Sequence, residues 1–148
     1  MQRKIIPDIV KRKNIAAVSG EDTVIKAAKM LADANIAALI VLDDDAMITG
    51  ILTERDLTQR VLAKGLDANT TLCETVMTAN PDTLDPDSSA GDALELMQSR
   101  GYRHLPVSED GKCVGMVSIR DLYAAAKETL EENIRETEAF VFGDRYGA

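Results

Sequence analysis

Two eight-residue phrases each place a hydroxyl side chain three residues before a carboxylate. They are Gly50-Ile-Leu-Thr-Glu-Arg-Asp-Leu57 and Gly115-Met-Val-Ser-Ile-Arg-Asp-Leu122. At a helix start, Thr53 and Ser118 can accept an unpaired N–H while Asp56 and Asp121 reach back, which is a capping box. The same groups suit a nucleotide, because helix N-termini attract phosphate and a carboxylate can accept two hydrogen bonds from ribose hydroxyls. Spacing alone favours capping, since Ser89 and Asp92 have the same spacing outside the two phrases.

The two phrases close the halves of an internal duplication. Residues 23–31 align with 89–97, and 35–39 align with 101–105, both at a shift of 66 residues. The shift falls to 65 at the phrases, so one residue has been gained or lost between Leu42 and Gly50. Hairpin tips tolerate such changes. The fixed period indicates one structural unit in duplicate, with each copy burying its apolar face on the other.

Both copies predict the same order of elements: strand, helix, two strands, helix. In the first copy these are 14–18, a helix from Thr23 to Ala34, strands 38–42 and 47–52, and a helix from Thr53 to about Gly65. In the second they are 82–84, a helix 89–100, strands near 105–107 and 113–117, and a helix from Ser118 that continues farther than its counterpart.

Composition excludes several function classes. A net charge of −8 and five aromatic residues leave neither a basic footprint nor stacking platforms for nucleic acid. No apolar run approaches the roughly 20 residues of a membrane span, and the N-terminus lacks a secretory signal, so we expect a cytoplasmic protein without membrane contact. Cys73 and Cys113 have no ligand-spaced partners, and Asp43-Asp44-Asp45 lacks calcium-loop spacing, so no metal site is predicted.

A β-α-β-β-α unit in duplicate, closed each time by Gly-x-x-Thr/Ser-x-x-Asp, resembles the tandem CBS domain, or Bateman module. Further shared features are Val76-Met77-Thr78 before Pro81-Asp82-Thr83, and Arg103-His-Leu-Pro-Val107. The resemblance implies an α/β (α+β) fold of two CBS units packed by pseudo-twofold symmetry, sheets against helices. The expected divisions are N-terminal segment 1–12, repeat 13–65, linker 66–78, repeat 79–130, and helix extension with aromatic tail 131–148.

The resemblance also implies two ligand clefts shared between the repeats. Asp56 and Asp121 would hold ribose, with Thr53 and Ser118 towards phosphate. The base slot of the Asp121 cleft would comprise Ala16, Ala17, Val18, Ile36, Ala37 and Ala38, and that of the Asp56 cleft Asp82, Thr83, Leu84 and Tyr102. Small alanines leave room for adenine, whereas Tyr102 and Arg103 are bulky. We therefore expect the Asp121 cleft to be the occupied one.

Phosphate charge requires cations, and the candidates are Arg55, Arg103, His104 and Arg120. Arginine can bind phosphate through two parallel hydrogen bonds. Alternative interpretations stay open for three of them. Arg55 and Arg120 can be exposed first-turn residues, and His104 can be a packed residue that only satisfies a backbone carbonyl.

These features predict a non-catalytic module that senses AMP, ADP, ATP or the dinucleotide NAD(H) and signals through dimer geometry or a downstream partner. S-adenosylmethionine is a weaker candidate because it carries a sulfonium and no phosphate, and a ligand-free structural dimer is the other alternative. No prosthetic group and no catalytic residue are expected, since no nucleophile and base can be paired. The resemblance implies a homodimeric disc of four repeats. The tail aromatics Phe140, Phe142 and Tyr146 are expected on a partner subunit or over a cleft.

Overall fold

A computed structural model describes the backbone of residues 3–146 and the side chains as far as Val141. The first repeat contains β1 (Ala17–Ser19), α1 (Val24–Ala34), β2 (Ala38–Leu42), β3 (Ile48–Thr53) and α2 (Glu54–Asp56), which continues into a π-helical stretch, Leu57–Leu62. Then come α3 (Cys73–Val76), β4 (Thr78–Ala79), α4 (Ala90–Arg100), β5 (His104–Glu109), β6 (Lys112–Ser118) and α5 (Ile119–Tyr146). The mixed α+β class is confirmed, and the predicted elements are present except the strand 82–84, where Leu84 forms only an isolated bridge with Val107.

The duplication extends to the register of the strands. A four-stranded sheet has the order β1-β2-β3-β4, with β1 parallel to β2, and β5 pairs with β6 in an antiparallel hairpin. Val18 pairs with Val41, and their counterparts Leu84 and Val107 form a parallel bridge. Both hairpins also shift register at the equivalent place, after Val41 and after Val107. The turns lie at the predicted tips, and the first is the longer one.

The long helices α1 and α4 begin and end at equivalent positions. Ser89 caps α4 with its side chain, whereas Thr23 occupies the N-cap of α1 without a side-chain hydrogen bond. Asn35 and Gly101 end the two helices in left-handed conformations with φ of 52° and 72°. Asparagine and glycine tolerate this conformation, which turns the chain towards the next strand.

Each repeat has its own apolar core, and a third cluster joins the repeats. The first core is built around Leu39 and Leu52, and the second around Leu105 and Val117, all fully buried. The joining cluster packs Ala38, Ile40 and Ile51 of the first repeat against Cys113 and Met116 of the second. The two sheets therefore face each other across an apolar interface, and the repeats form one folded unit.

The segments that precede the repeats are exchanged. Ile5 and Ile6, ahead of the first repeat, lie in the core of the second, while Cys73 and Val76, ahead of the second repeat, lie in the core of the first. Equivalent hydrogen bonds anchor them: Ala90 N donates to Arg3 O at 3.0 Å and Val24 N donates to Thr71 O at 2.9 Å. Both segments are thus parts of the core rather than loose connections.

The C-terminal helix projects beyond the core. Its first turns bury Leu122, but Tyr123, Leu130, Ile134, Phe140 and Val141 are exposed. Phe140 is 72% exposed and does not cover a cleft of its own chain. The side chains of Phe142 and Tyr146 lie outside the described ones. Among residues 3–146, no helix combines the length and apolar character required to span a membrane.

Candidate ligand cleft between the repeats

The two closing phrases form the capping boxes that their spacing predicts. Asp56 N donates to Thr53 Oγ1 at 3.2 Å, while Thr53 N and Oγ1 donate to Asp56 Oδ2 at 2.9 and 3.1 Å. Ser118 and Asp121 repeat this arrangement with distances of 3.2, 2.8 and 2.9 Å. Oδ2 of each carboxylate therefore accepts two hydrogen bonds from the cap, and Oδ1 is the oxygen available to a ligand.

Each helix start is also fixed to a strand of its own repeat. Glu54 N donates to Ala37 O at 3.0 Å, and Ile119 N donates to Arg103 O at 2.9 Å. The first and third amides of each helix are thereby satisfied. The second amides, those of Arg55 and Arg120, have no intrahelical partner at this position, so each helix start retains an amide for an anion.

A cleft of about 610 Å³ opens at the first of these helix starts, within the range that suits a small ligand. One wall consists of Thr53, Arg55 and Asp56 with the following turn, and the other comes from the second repeat. That second wall contains Pro81, Asp82, Tyr102, Arg103 and His104. The structure thus brings Asp82, Tyr102, Arg103 and His104 to the Asp56 helix start, as the family resemblance implied, whereas Thr83 and Leu84 do not line this cleft.

Four arginines line this cleft with three carboxylates. Arg60 Nε lies 3.7 Å from Asp56 Oδ1, and Arg100 Nε lies 3.6 Å from Asp82 Oδ2. Arg55 and Arg103, which also line the cleft, form no salt bridge within the described part of the chain. The cleft therefore holds two guanidinium groups whose charge is not compensated by a salt bridge.

His104 lies between the two helix starts. Burial lowers the pKa of its imidazole below the usual range; the carboxylates of Asp121 and Glu54 oppose this effect, and Arg103 adds to it. The ring is therefore neutral near pH 7 and can gain a proton when an anion approaches. Beside it, burial and then the Asp82 carboxylate raise the pKa of Tyr102, so its phenol stays protonated and can donate.

The structure does not place all of the residues predicted for the two base slots in a cleft. Ala37 lines the Asp56 cleft. Val18 and Leu84 are buried in the repeat cores, so only their backbones can contact a ligand. Ala16 packs on the first core and Ala17 on the inter-repeat cluster, where Ala38 is 6% exposed. Ile36, Thr83 and Arg120 are exposed, and Thr83 is not part of the cleft lining. Occupation of the Asp121 cleft stays a prediction.

The glycines of the two phrases, Gly50 and Gly115, differ in how closely another side chain approaches them. A Cβ on Gly50 would lie 2.3 Å from Met77 Sδ, and a Cβ on Gly115 would lie 3.5 Å from Ile6 Cδ1. Met77 and Ile6 belong to the two exchanged segments. Packing therefore explains the glycine at position 50, where Met77 occupies the space of a side chain, but not the glycine at position 115, where a Cβ would make an ordinary contact.

Sequence reasoning missed Arg60 and Arg100. Arg60 follows Asp56 by four residues, and side chains at this spacing on a helix are neighbours. That spacing could have identified Arg60. Arg100 is the last residue of α4, where a cation is common because it favours the helix dipole, so nothing in its sequence context distinguishes it.

The family model described as CBS domain matches residues 8–63 and 73–128. The chain belongs to the CBS-domain family. Its two matches form a CBS-domain pair, as in regulatory and signal-transduction proteins. The mitochondrial CBS domain-containing protein CBSX3 of Arabidopsis thaliana is 30% identical, covering 93% of this chain and 72% of the relative. Other curated relatives, such as the Arabidopsis protein CBSCBSPB5, are much longer, and this chain spans about a fifth of their length.

Solved structures show the same CBS-pair fold. An uncharacterized conserved protein from Pyrococcus horikoshii is similar with a TM-score of 0.75 and 27% identity, covering 85% of this chain and 93% of the other. The CBS-domain pair of protein MJ0100, solved in complex with 5′-methylthioadenosine and S-adenosyl-L-methionine, gives a TM-score of 0.77 at 25% identity, covering 87% and 99%. Among the side chains described, those of residues 3–141, no three of His, Cys, Asp or Glu converge as a metal site.

Proposed function

We propose that this CBS-domain pair is a non-catalytic sensor that binds a phosphate-bearing adenosine compound in the Asp56 cleft. AMP, ADP and ATP are the first candidates, and NAD(H) is the next. Binding would be transmitted through the geometry of a homodimer or to a downstream protein. The wider activity and partners of any longer protein belong to this proposal, because the matched part of this chain covers only 22% of relatives such as CBSCBSPB5.

The observation that carries the proposal is the composition of the cleft. It offers Asp56 Oδ1 for ribose hydroxyls, the second amide of α2 for an anion, and Arg55 and Arg103 without salt-bridge partners in the described residues. A cation pair beside a carboxylate suits a ligand that carries both phosphate and a diol. The MJ0100 complex supports an adenosyl ligand for this fold.

The arginines of the cleft favour adenosyl ligands that carry phosphate. S-adenosylmethionine and 5′-methylthioadenosine lack phosphate, and the sulfonium of the former would be repelled by uncompensated guanidinium groups. A phosphate would instead form charge-assisted hydrogen bonds with them. We therefore expect the affinity for AMP, ADP or ATP to exceed the affinity for S-adenosylmethionine.

Titration calorimetry with AMP, ATP, NADH and S-adenosylmethionine tests the proposal. We expect Asp56→Asn to weaken binding of the phosphate-bearing ligand about tenfold or more, because a hydrogen bond to a charged group contributes about 1.5–3 kcal/mol. Asp92→Asn is the matched control, since Asp92 forms an equivalent capping box on α4 outside the cleft lining. Asp92→Asn should leave the affinity unchanged.

Asp121→Asn separates the two clefts. If binding survives Asp56→Asn and vanishes with Asp121→Asn, the ligand occupies the other cleft, as the sequence analysis expected. Absence of heat with every ligand would favour the ligand-free structural dimer, for which the complete capping boxes already give a sufficient role.

A further inference from the structure

Arg60 connects the proposed ribose carboxylate to the exchanged segment ahead of the second repeat. Its Nη1 donates to Val76 O at 3.0 Å and to Met77 O at 3.1 Å, while its Nε lies 3.7 Å from Asp56 Oδ1. The guanidinium therefore spans the distance between α2 and the end of α3. Because the side chain is 48% exposed, the ion pair alone adds little stability, and the two carbonyl contacts fix the position of the group.

The contact involves the one Asp56 oxygen that is not committed to the cap. Oδ2 accepts from Thr53 N and Oγ1, so a ligand hydroxyl has to approach Oδ1. A carboxylate oxygen has two lone-pair sites and can accept from Arg60 and from a hydroxyl together. A ligand bound there would share an oxygen with Arg60 and would restrict its guanidinium.

The segment that Arg60 holds leads directly into the opposite wall of the cleft. Met77 fills the space above Gly50, and β4 pairs with β3 at Gly50 and Ile51. Thr78 and Pro81, immediately beyond, line the cleft. A restriction at Arg60 would thus pass to Val76 and Met77, which belong to the first core, and along the chain to Thr78, which lines the cleft.

The second repeat lacks this connection. At the shift of 65 residues that aligns the closing phrases, the counterpart of Arg60 is Ala125. Alanine has no donor to reach Asp121 or a neighbouring carbonyl. The connection is consequently a property of one cleft, and the duplication itself does not require it.

We propose that Arg60 is a positioning residue that couples ligand binding at Asp56 to the order of residues 76–80. This inference rests on the proposed function. It adds the sign of the effect, because occupancy of the Asp56 cleft would make the segment between the repeats more ordered. In the free protein Arg60 already holds this segment against α2, and ligand binding increases the restraint.

Amide hydrogen exchange with AMP as the probe tests the coupling. Met77 N donates to Cys73 O and Asn80 N donates to Thr49 O, so both amides report opening of the segment. Saturating AMP should slow their exchange in the unmodified protein. In Arg60→Gln, AMP should still bind, with affinity reduced by less than about tenfold, but the slowing at residues 76–80 should be lost.

Amide exchange in the ligand-free protein tests the role of Arg60 independently of AMP binding. Without ligand, Arg60→Gln should speed exchange at residues 76–80 by about tenfold, because two carbonyls lose a charged donor. Arg100→Gln is the matched control, since Arg100 lines the same cleft but contacts Asp82 and not the segment. Arg100→Gln should leave exchange at residues 76–80 unchanged.

The outcomes separate this inference from the proposed function. If AMP binds and depends on Asp56, but Arg60→Gln keeps the ligand-induced slowing, the coupling is wrong while the sensor stands. If AMP, ATP and NADH all give no heat with the unmodified protein, the sensor and the coupling fail together; if ATP or NADH binds where AMP does not, that ligand replaces AMP in the exchange experiment. Equal exchange of the free Arg60→Gln protein and the unmodified protein would overturn the positioning role itself.

Discussion

At the scale of single residues, Asp56 and Asp121 show how one carboxylate can serve both fold and ligand. Oδ2 of each completes a capping box, and such caps contribute about 1 kcal/mol. Oδ1 remains for another partner. Capping and binding are therefore compatible at the same side chain, and the presence of a capping box does not decide between a structural and a functional role.

His104 makes a pH prediction possible. Since burial lowers the pKa of the imidazole in the folded protein, the unfolded chain binds the proton more readily. The stability contribution of the neutral ring is therefore complete above the unfolded pKa of about 6.5 and is lost as pH falls through that value towards the lower folded pKa. Denaturant unfolding at pH 7.5 and 5.5 should show a smaller loss of stability in His104→Gln than in the unmodified protein.

The same histidine should make AMP binding proton-linked. A phosphate near the ring raises its pKa, so binding takes up a proton and strengthens as pH falls below 7. Calorimetry in two buffers of different ionisation enthalpy counts that proton. The phosphate of AMP itself titrates near pH 6, and His104→Gln supplies the correction. Equal proton uptake by both proteins would show that His104 does not face the phosphate.

We expect the equivalent glycines Gly50 and Gly115 to differ in how much their substitution by alanine lowers stability. A Cβ at Gly50 overlaps Met77, whereas a Cβ at Gly115 makes only ordinary contacts, and neither glycine has a left-handed backbone. Gly50→Ala requires the flexible Met77 side chain to shift, so it should lower the free energy of unfolding by about 1 kcal/mol, the low end of overpacking costs, and Gly115→Ala should be close to neutral. Denaturant unfolding measures both, and Gly50→Ala with Met77→Ala should recover part of the loss. Equal effects at the two glycines would contradict this account.

At the scale of elements, the exchanged segments predict that the N-terminus stabilises the repeat that is farther away in sequence. Ile5 is fully buried in the second core, so Ile5→Ala should cost about 2–5 kcal/mol of unfolding free energy. Leu62→Ala is a control, because Leu62 is 78% exposed and should change stability by less than about 0.5 kcal/mol. A cost for Ile5→Ala no larger than the control would contradict this assignment.

These segments also show where sequence reasoning stops. Apolar periodicity and turn residues predicted the helices and hairpins well, because each depends on neighbours in the chain. The burial of Ile5 beside Leu105 depends on contacts about 100 residues apart, and no local pattern reports it. The pairing of Thr53 and Asp56 with Tyr102 and His104 was available from the family resemblance. The four-residue spacing from Asp56 could have indicated Arg60, whereas no local pattern distinguishes Arg100.

At the scale of the whole molecule, the exposed face of α5 bears on the predicted homodimer. Tyr123, Leu130, Ile134 and Val141 are each at least half exposed and follow one another at intervals of seven, four and seven residues. This spacing matches a and d positions of a heptad pattern, with Lys127 and Thr137 at the intervening positions, and the exposed apolar stripe along this side of the helix is called the seam. Arg3 forms salt bridges with Glu128 and Glu132, which hold the helix to its own N-terminal segment and leave the seam outside.

A second copy of the chain would cover this seam, so the dimer should depend on it. We expect sedimentation equilibrium to give a dimer for the unmodified protein and a monomer for Leu130→Lys with Ile134→Lys, because each buried leucine or isoleucine contributes about 1.5–3 kcal/mol and a lysine there would be buried without a partner. Leu62→Lys introduces the same charge on an exposed leucine away from α5 and should stay dimeric. A dimer that survives the double change would place the interface elsewhere, and a monomeric unmodified protein would exclude signalling through dimer geometry.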